Sequence, residues 1–228
     1  MSKELELQLQ EALRRIERLE AAQACRNLMG KYSYYHTAFR NKEYIDLWAK
    51  RDDDLLVMPW GSYQGFEGVK ACYMKDHGDR SDPKVLDSLK GAVMMHEMDT
   101  EVIEVAEDGK SAKALWQFQA ADTRVTACGP LSIWKIGYMA ADLVEEDGEF
   151  KVLNLLYALD IDHPCAEPWT EPSKYAPDPE FAAFDIPEPQ PTVPMEVYRA
   201  YSVDRPYQEL PKMPVPYTTL AETFSYGI

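Results

Sequence analysis

Two stretches decide the fold of this chain: MMHEMDTEVIEVAEDGKSAKALWQFQA, residues 94–120, and WKIGYMAADLVEEDGEFKVLNLLY, residues 134–157. Each places an Asp-Gly pair, Asp108-Gly109 or Asp147-Gly148, between two runs of strand-forming residues. Asp-Gly is a strong hairpin signal because a type I′ turn requires positive φ at both central residues. The pattern therefore predicts long antiparallel strands over residues 91–160.

The residues before these strands show helical periodicity. One long helix is predicted over residues 3–38, with an apolar seam of 4-3-4-3 spacing at Leu5, Leu9, Ala12, Ile16 and Leu19. This seam packs either on the chain's own domain or on a second copy. The other predicted elements are helices over 42–50 and 67–76, a short strand at 55–60, a turn at 61–65 and a polar loop at 77–83. The order α-α-β-α-β-β-β-β is typical of an α+β domain.

The last part of the chain differs in composition. Thirteen of the 16 prolines lie at or after Pro164, which favours extended or irregular backbone. Ten aromatic residues share this part of the chain, whereas disordered tails are normally poor in aromatics. We predict a helical extension at 1–20, an α+β domain at 21–163 and an ordered, proline- and aromatic-rich strap at 164–228. Simple disorder of the strap is the alternative.

The composition excludes several classes of function. The net charge of −15 argues against non-specific binding to nucleic acid or anionic membranes, since both require clustered positive charge. No run of about 18 apolar residues occurs, and the charged N-terminus lacks the apolar region of a signal peptide. We therefore expect a soluble cytoplasmic protein.

The cysteines and histidines do not indicate a metal centre. The four cysteines, at positions 25, 72, 128 and 165, form no Cys-x-x-Cys pair. In a reducing compartment we expect them to be small buried hydrophobes, with a reactive thiol as the alternative. The four histidines are scattered and form no metal-ligand motif, so we expect no metal site.

Five segments together resemble a known superfamily. These segments are residues 27–32, 44–49, 60–68, 96–105 and 137–152. They are similar to the nuclear transport factor 2-like superfamily, in its SnoaL-like and scytalone dehydratase-like branch. The resemblance covers about residues 20–160 and implies a cystatin-like α+β cone barrel, in which N-terminal helices pack inside a curved antiparallel sheet.

The resemblance also implies a class of function. Enzymes of this superfamily transfer protons or eliminate groups on mostly apolar ligands without a cofactor, while other members only bind or assemble. We expect a cofactor-independent lyase, dehydratase or isomerase acting on a small aromatic or polycyclic compound, as a homodimer or homotrimer. The alternatives are a non-catalytic ligand-binding or assembly module and the small subunit of a ring-hydroxylating dioxygenase.

Four residues are the catalytic candidates. His96 and Asp122 lie where the resemblance places the two pocket histidines of scytalone dehydratase, and a neutral imidazole can move a proton at physiological pH. Arg40 replaces an acidic residue of that family and would stabilise an oxyanion, together with a tyrosine, Tyr35 or Tyr63. The structural alternatives are a core histidine for His96, a solvated Asp122 and Arg40, and core packing for Tyr35.

Eight further residues are candidates for contact with the substrate. Their alternatives are core packing for the aromatic residues and exposure to solvent for Lys135. For Arg124 the alternative is an ion pair with Asp122. The candidates are Trp60, Tyr63, His36, Arg124, Trp116, Phe118, Lys135 and Tyr157.

Overall fold

The computed structural model describes residues 2–77, 79–126, 129–171, 192, 201–204, 206–207 and 211–227. Four α-helices, α1 to α4, span Lys3–Thr37, Asn41–Ile45, Gly65–Ala71 and Pro83–Ser88. Six strands, β1 to β6, span Leu55–Met58, Gly61–Gln64, Met94–Val105, Ser111–Thr126, Gly129–Glu146 and Glu149–Pro164. A π-helix, Cys72–His77, continues α3, and a 3-10 turn spans Leu220–Glu222.

The strands form one curved, unclosed sheet in the order β2-β1-β6-β5-β4-β3. This architecture is the predicted cystatin-like α+β fold, with one difference. The sheet is not purely antiparallel, because β1 runs parallel to β6, with Leu55 opposite Asn154. No hairpin joins these two strands, so their connection does not impose an antiparallel direction.

The two Asp-Gly pairs form different turns. Asp147 and Gly148 both have positive φ, 53° and 83°, and they form the predicted two-residue turn between β5 and β6. At the other pair only Gly109 has positive φ, 72°. The loop between Val105 and Ser111 holds five residues, so this connection is longer than the predicted type I′ turn.

Three local predictions were wrong. The predicted turn at 61–65 forms strand β2, which pairs with β1 through Met58 and Gly61. The predicted helix at 42–50 ends at Ile45, and Trp48 forms a β-bridge with Val152 instead. Helix α4, whose first turn is capped by Asp82, follows the polar loop and has no counterpart among the predicted elements. Cys165 is exposed, because it follows the last residue of β6. Cys25 and Cys72 are buried as predicted, and Cys128 lies outside the described residues.

Helix α1 changes its surroundings along its length. The Ser2 side chain caps its start by accepting a hydrogen bond from the Leu5 amide, 3.2 Å away. From Ala21 onward the helix buries one face, made of Ala21, Cys25, Leu28, Met29, Tyr32 and His36. Before Ala21 the described side chains are exposed, except for the partly buried Arg18, which donates to the Val105 carbonyl oxygen at 3.0 Å.

The C-terminal segment, defined here as residues 211–227, packs on the outer face of the sheet. Tyr226 is 3% exposed and packs with Val57, Ala140 and Leu156. Its backbone amide donates to Asp142 at 2.9 Å. The rest of the predicted strap is described only in part, since residues 172–191, 193–200, 205, 208–210 and 228 lie outside the described residues. No helix in the described ranges is long and apolar enough to cross a membrane.

Candidate active site

His96 lies on the inner face of β3 and is 5% exposed. Helix α1 holds this part of the edge strand through two side chains. The Ser33 hydroxyl donates to the His96 carbonyl oxygen, and the Thr37 hydroxyl accepts from the His96 amide at 3.4 Å. These contacts satisfy backbone groups that an edge strand leaves unpaired, and they fix the position of the imidazole relative to α1.

Asp122 and Lys135 extend the site across β4 and β5. His96 pairs with Ala120 in the β3–β4 register, which places Asp122 two residues away on the same face. Nε2 of His96 lies 3.4 Å from Oδ1 of Asp122, and Nζ of Lys135 lies 3.0 Å from Oδ2 of the same carboxylate. The three groups form a line, imidazole, carboxylate and ammonium, across three neighbouring strands.

The electrostatics favour a neutral imidazole beside an ionised carboxylate. Burial lowers the pKa of His96 below its ordinary value of 6.5, and the Lys135 charge adds to this, although Asp122 acts in the opposite direction. Burial alone would raise the pKa of Asp122, but the contact with His96 and the charge of Lys135 outweigh it and lower that pKa. At neutral pH His96 therefore has a lone pair available as a base.

Aromatic rings surround His96. His36 of α1 lies 4.4 Å from it between ring centroids, and Phe118 lies 5.0 Å away edge-on. The Tyr157 ring stacks on it at 5.9 Å. Three tyrosines pack against one another beyond His36. The ring centroids of Tyr44 and Tyr73 are 4.2 Å apart, and those of Tyr32 and Tyr44 are 4.9 Å apart.

Four buried polar atoms in this site have no well-aligned hydrogen-bond partner within the described residues. They are Nδ1 and Nε2 of His96, Oδ1 of Asp122 and the hydroxyl of Tyr157. The 3.4 Å between Nε2 of His96 and Oδ1 of Asp122 is longer than an ordinary N–H···O hydrogen bond. Buried polar atoms are normally paired because an unpaired one costs free energy, so this group is equipped to bind polar atoms of a ligand.

Next to His96 a groove of about 520 Å³ runs between α1 and β3. His96 is among its lining residues, together with Met29 and Met98. Trp116 also lines it and donates from Nε1 to Oε2 of Glu101 at 3.3 Å. The groove borders His96, whose two ring nitrogens are themselves buried.

The structure does not bring every predicted residue to His96. Arg40 has a side chain that is 47% exposed; it pairs with Glu43 at 2.8 Å and lies over the Tyr35 ring at 5.0 Å. Trp60 donates to the Tyr63 hydroxyl at 3.0 Å, and both belong to the β1–β2 end of the sheet. The Arg124 side chain lies outside the described residues.

Three residues at the site, Tyr32, Tyr44 and Tyr73, were not among the predicted site residues. Tyr32 and His36 stand one turn apart on α1 and stack at 5.7 Å, so helical spacing already places them on one face. Tyr73 belongs to the π-helix, whose irregular spacing has no readable signal in the sequence. In the described part of the chain, no group of three or more His, Cys, Asp or Glu side chains is arranged to hold a metal ion.

These observations define a class of protein: an α+β fold whose open sheet and long helix enclose a buried His–Asp pair. The chain belongs to the SnoaL-like domain family, whose sequence profile matches residues 17–155. No protein with a curated function matches the chain.

Solved structures share the fold at low sequence identity. A hexachlorocyclohexane dehydrochlorinase (LinA) of type 2 is 16% identical with a TM-score of 0.50, over 69% of this chain and 97% of that one. The type 3 enzyme from Novosphingobium barchaimii is 16% identical with a TM-score of 0.50, over 69% of this chain and 98% of that one. An NTF2-like protein with a cystatin-like fold from Novosphingobium aromaticivorans is 14% identical with a TM-score of 0.47, over 66% of this chain and 89% of that one.

Proposed function

We propose that this protein is a cofactor-independent acid–base enzyme, a lyase, dehydratase or isomerase, acting on a small aromatic or polycyclic compound. The observation that carries the proposal is the buried array of His96, Asp122 and Lys135 with unpaired polar atoms among aromatic rings. Aromatic walls favour an aromatic ligand. Dehydrochlorination, the activity named for two of the similar structures, is an elimination and belongs to the same class of reaction.

The first step is removal of a carbon-bound proton by His96. Since Nε2 faces Asp122, Nδ1 has the free lone pair and accepts the proton. The electron pair of the broken C–H bond then expels a leaving group from the neighbouring carbon, or moves into a conjugated carbonyl. Asp122 stabilises the imidazolium that forms, and Lys135 keeps Asp122 ionised.

The second step returns the proton from His96 to the leaving group or to another carbon. The Tyr157 hydroxyl is buried and has no hydrogen-bond partner among the described residues. It donates to oxyanion character that develops on the substrate. Burial raises the pKa of Tyr157 well above its ordinary value, so the phenol stays protonated and remains a donor.

A Tyr157→Phe variant separates catalysis from stability. We expect the free energy of unfolding to rise by about 1 kcal/mol, because the substitution removes a buried hydroxyl that has no partner. We expect kcat to fall by roughly 10²-fold with the loss of the oxyanion donor. Urea denaturation and steady-state kinetics measure the two effects. A loss of stability with unchanged kcat would show that the hydroxyl serves the fold instead.

A second candidate function, a ligand-binding module, is favoured by the packing of the interior. Tyr32, Tyr44 and Tyr73 lie against one another and are each at most 3% exposed. Such packing leaves the groove beside His96 as the space for a ligand. In this alternative the ligand would occupy that groove without losing a proton.

Proton exchange distinguishes the two functions. A panel of aromatic and polycyclic ketones and alcohols is incubated with the protein in D₂O, and loss of carbon-bound protons is followed by ¹H NMR. We expect exchange or elimination for at least one compound, and loss of both with His96→Gln, which keeps a polar side chain but removes the base. Compounds that perturb the His96 ring signals without any exchange or elimination would contradict the enzyme and support the binding module.

A further inference from the structure

Apart from the contact of Arg18 with Val105, the N-terminal half of α1 packs on nothing else in the described part of the chain. Residues 3–20 span about 27 Å at 1.5 Å per residue. Along this length Leu5, Leu9, Ile16 and Leu19 are between 48% and 71% exposed. A helix of this length is marginal in water unless an apolar face is covered. Its apolar seam therefore requires a partner surface.

The seam points away from the chain's own domain. Successive residues of an α-helix are separated by about 100°. On that spacing the seam residues Leu5, Leu9, Ala12, Ile16 and Leu19 centre roughly 170° from the face that is buried from Ala21 onward. A second helix can approach the seam without meeting the sheet below α1, so the geometry permits a pair of helices with the two domains on opposite outer sides.

The chain itself occupies the other obvious association surface. The part of the outer face around Val57 and Leu156 is covered by the C-terminal segment, through Tyr226. Ser225 and the Tyr226 amide also bond to Asp142 at 2.7 and 2.9 Å. A second copy therefore cannot use this part of the face without displacing the chain's own C-terminal segment.

We propose that α1 pairs with α1 of a second copy as a parallel two-stranded coiled coil. The 4-3-4-3 spacing makes Leu9 and Ile16 a positions and Leu5, Ala12 and Leu19 d positions. Arg15 then occupies a g position and Glu20 the following e position. In a parallel pair, Arg15 faces the partner's Glu20, which gives two attractive pairs per dimer.

The flanking charges and the number of apolar layers favour the parallel arrangement over the antiparallel one. The antiparallel register that matches Leu9 with the partner's Leu19, and Ala12 with the partner's Ile16, brings equivalent flanking positions together. Glu6 would then face the partner's Glu20, and Arg15 would face the partner's Arg15. Like charges at such positions are repulsive. The other antiparallel register, with Leu5 opposite the partner's Ile16, avoids this repulsion but loses the Arg15–Glu20 pairs and forms four apolar layers where the parallel pair forms five. The parallel pair is therefore favoured. The pairing is independent of the chemistry proposed for His96.

Sedimentation equilibrium of the full chain over a concentration series tests the seam. We expect a dimer, and we expect Ile16→Glu to raise its dissociation constant by about 100-fold, since two apolar contacts are lost per dimer. Leu7→Glu is the matched control, because Leu7 is 58% exposed but lies on the opposite side of the helix. Circular dichroism checks that both variants fold. A monomeric wild type, or equal weakening by both substitutions, would overturn the proposal.

Charge reversal tests the parallel register. Arg15→Glu and Glu20→Arg should each raise the dissociation constant about fivefold, since each converts two attractive pairs per dimer into repulsive ones. The double variant restores opposite charges across the parallel interface and should dimerise more tightly than either single variant. A double variant that is weaker than both single variants would overturn the parallel arrangement.

Discussion

Replacing His96 by alanine is expected to lower kcat/KM by about 10²–10⁴-fold on the first substrate found. The substitution removes the proposed base, which lies beside Asp122 and Lys135. The fold should persist, since the His96 backbone contacts with Ser33 and Thr37 remain. Steady-state kinetics gives the rate effect, and the thermal midpoint shows whether the fold is retained.

The control for His96→Ala is Arg40→Ala. Arg40 was predicted from the sequence as an oxyanion-stabilising residue, but its side chain is 47% exposed and pairs with Glu43. We expect Arg40→Ala to leave kcat/KM within about twofold, as is usual for an exposed ion pair. If Arg40→Ala were as damaging as His96→Ala, the reaction would take place elsewhere than beside His96.

The second large effect is expected at Asp142, on the outer face of the sheet. Asp142 and Lys113 form an ion pair and are both 0% exposed. The second oxygen of Asp142 accepts from Asn154 at 2.8 Å and Ser225 at 2.7 Å. Asp142→Ala leaves the Lys113 ammonium buried without its counter-charge, which costs about 3–5 kcal/mol of unfolding free energy.

Two measurements define the role of Asp142. Urea denaturation should show the loss of stability, and limited proteolysis should show faster cleavage within the C-terminal segment, because its anchors at Ser225 and Tyr226 bond to the same carboxylate. The control is Glu149→Ala, which removes an exposed partner of Lys151 and should change stability far less than Asp142→Ala. Equal effects of the two substitutions would contradict the anchoring role.

The sequence predicts the parts of the site that depend on regular periodicity. Strand alternation places Asp122 on the face of Trp116 and Phe118, and the structure keeps it there because no bulge interrupts β4 between these residues. His36 follows from its position on the same helix face as Tyr32. These residues converge because each lies in a long element with an uninterrupted repeat.

Arg40 shows where periodicity fails. One more turn of α1 would have carried Arg40 onto the face of His36. The helix instead ends at Thr37, and Phe39 adopts a positive φ of 53°, which turns the chain outward. Glycine or asparagine usually occupies such a position, but residue 39 is a phenylalanine. The sequence therefore has no local signal for this end of the helix.

The ion pair of Asp122 with Lys135 also lies beyond local sequence signals. Asp122 lies on β4 and Lys135 lies on β5, 13 residues apart in the sequence. The two side chains meet only because β4 and β5 pair with Ala120 opposite Lys135. The register of long strands is set by the whole hairpin rather than by the residues at the contact. The sequence alone therefore allows both alternatives for Lys135, exposure to solvent and contact with the pocket.

The pKa of His96, measured by NMR titration of its ring signals, tests the central claim most directly and requires no substrate. We predict a pKa below 6.5 in the wild type, because burial disfavours the imidazolium. Asp122→Asn removes the charge that favours the imidazolium and should lower the pKa further, while Lys135→Met removes the charge that opposes it and should raise the pKa. A His96 pKa at or above 6.5 that neither substitution moves would contradict the His96–Asp122–Lys135 array.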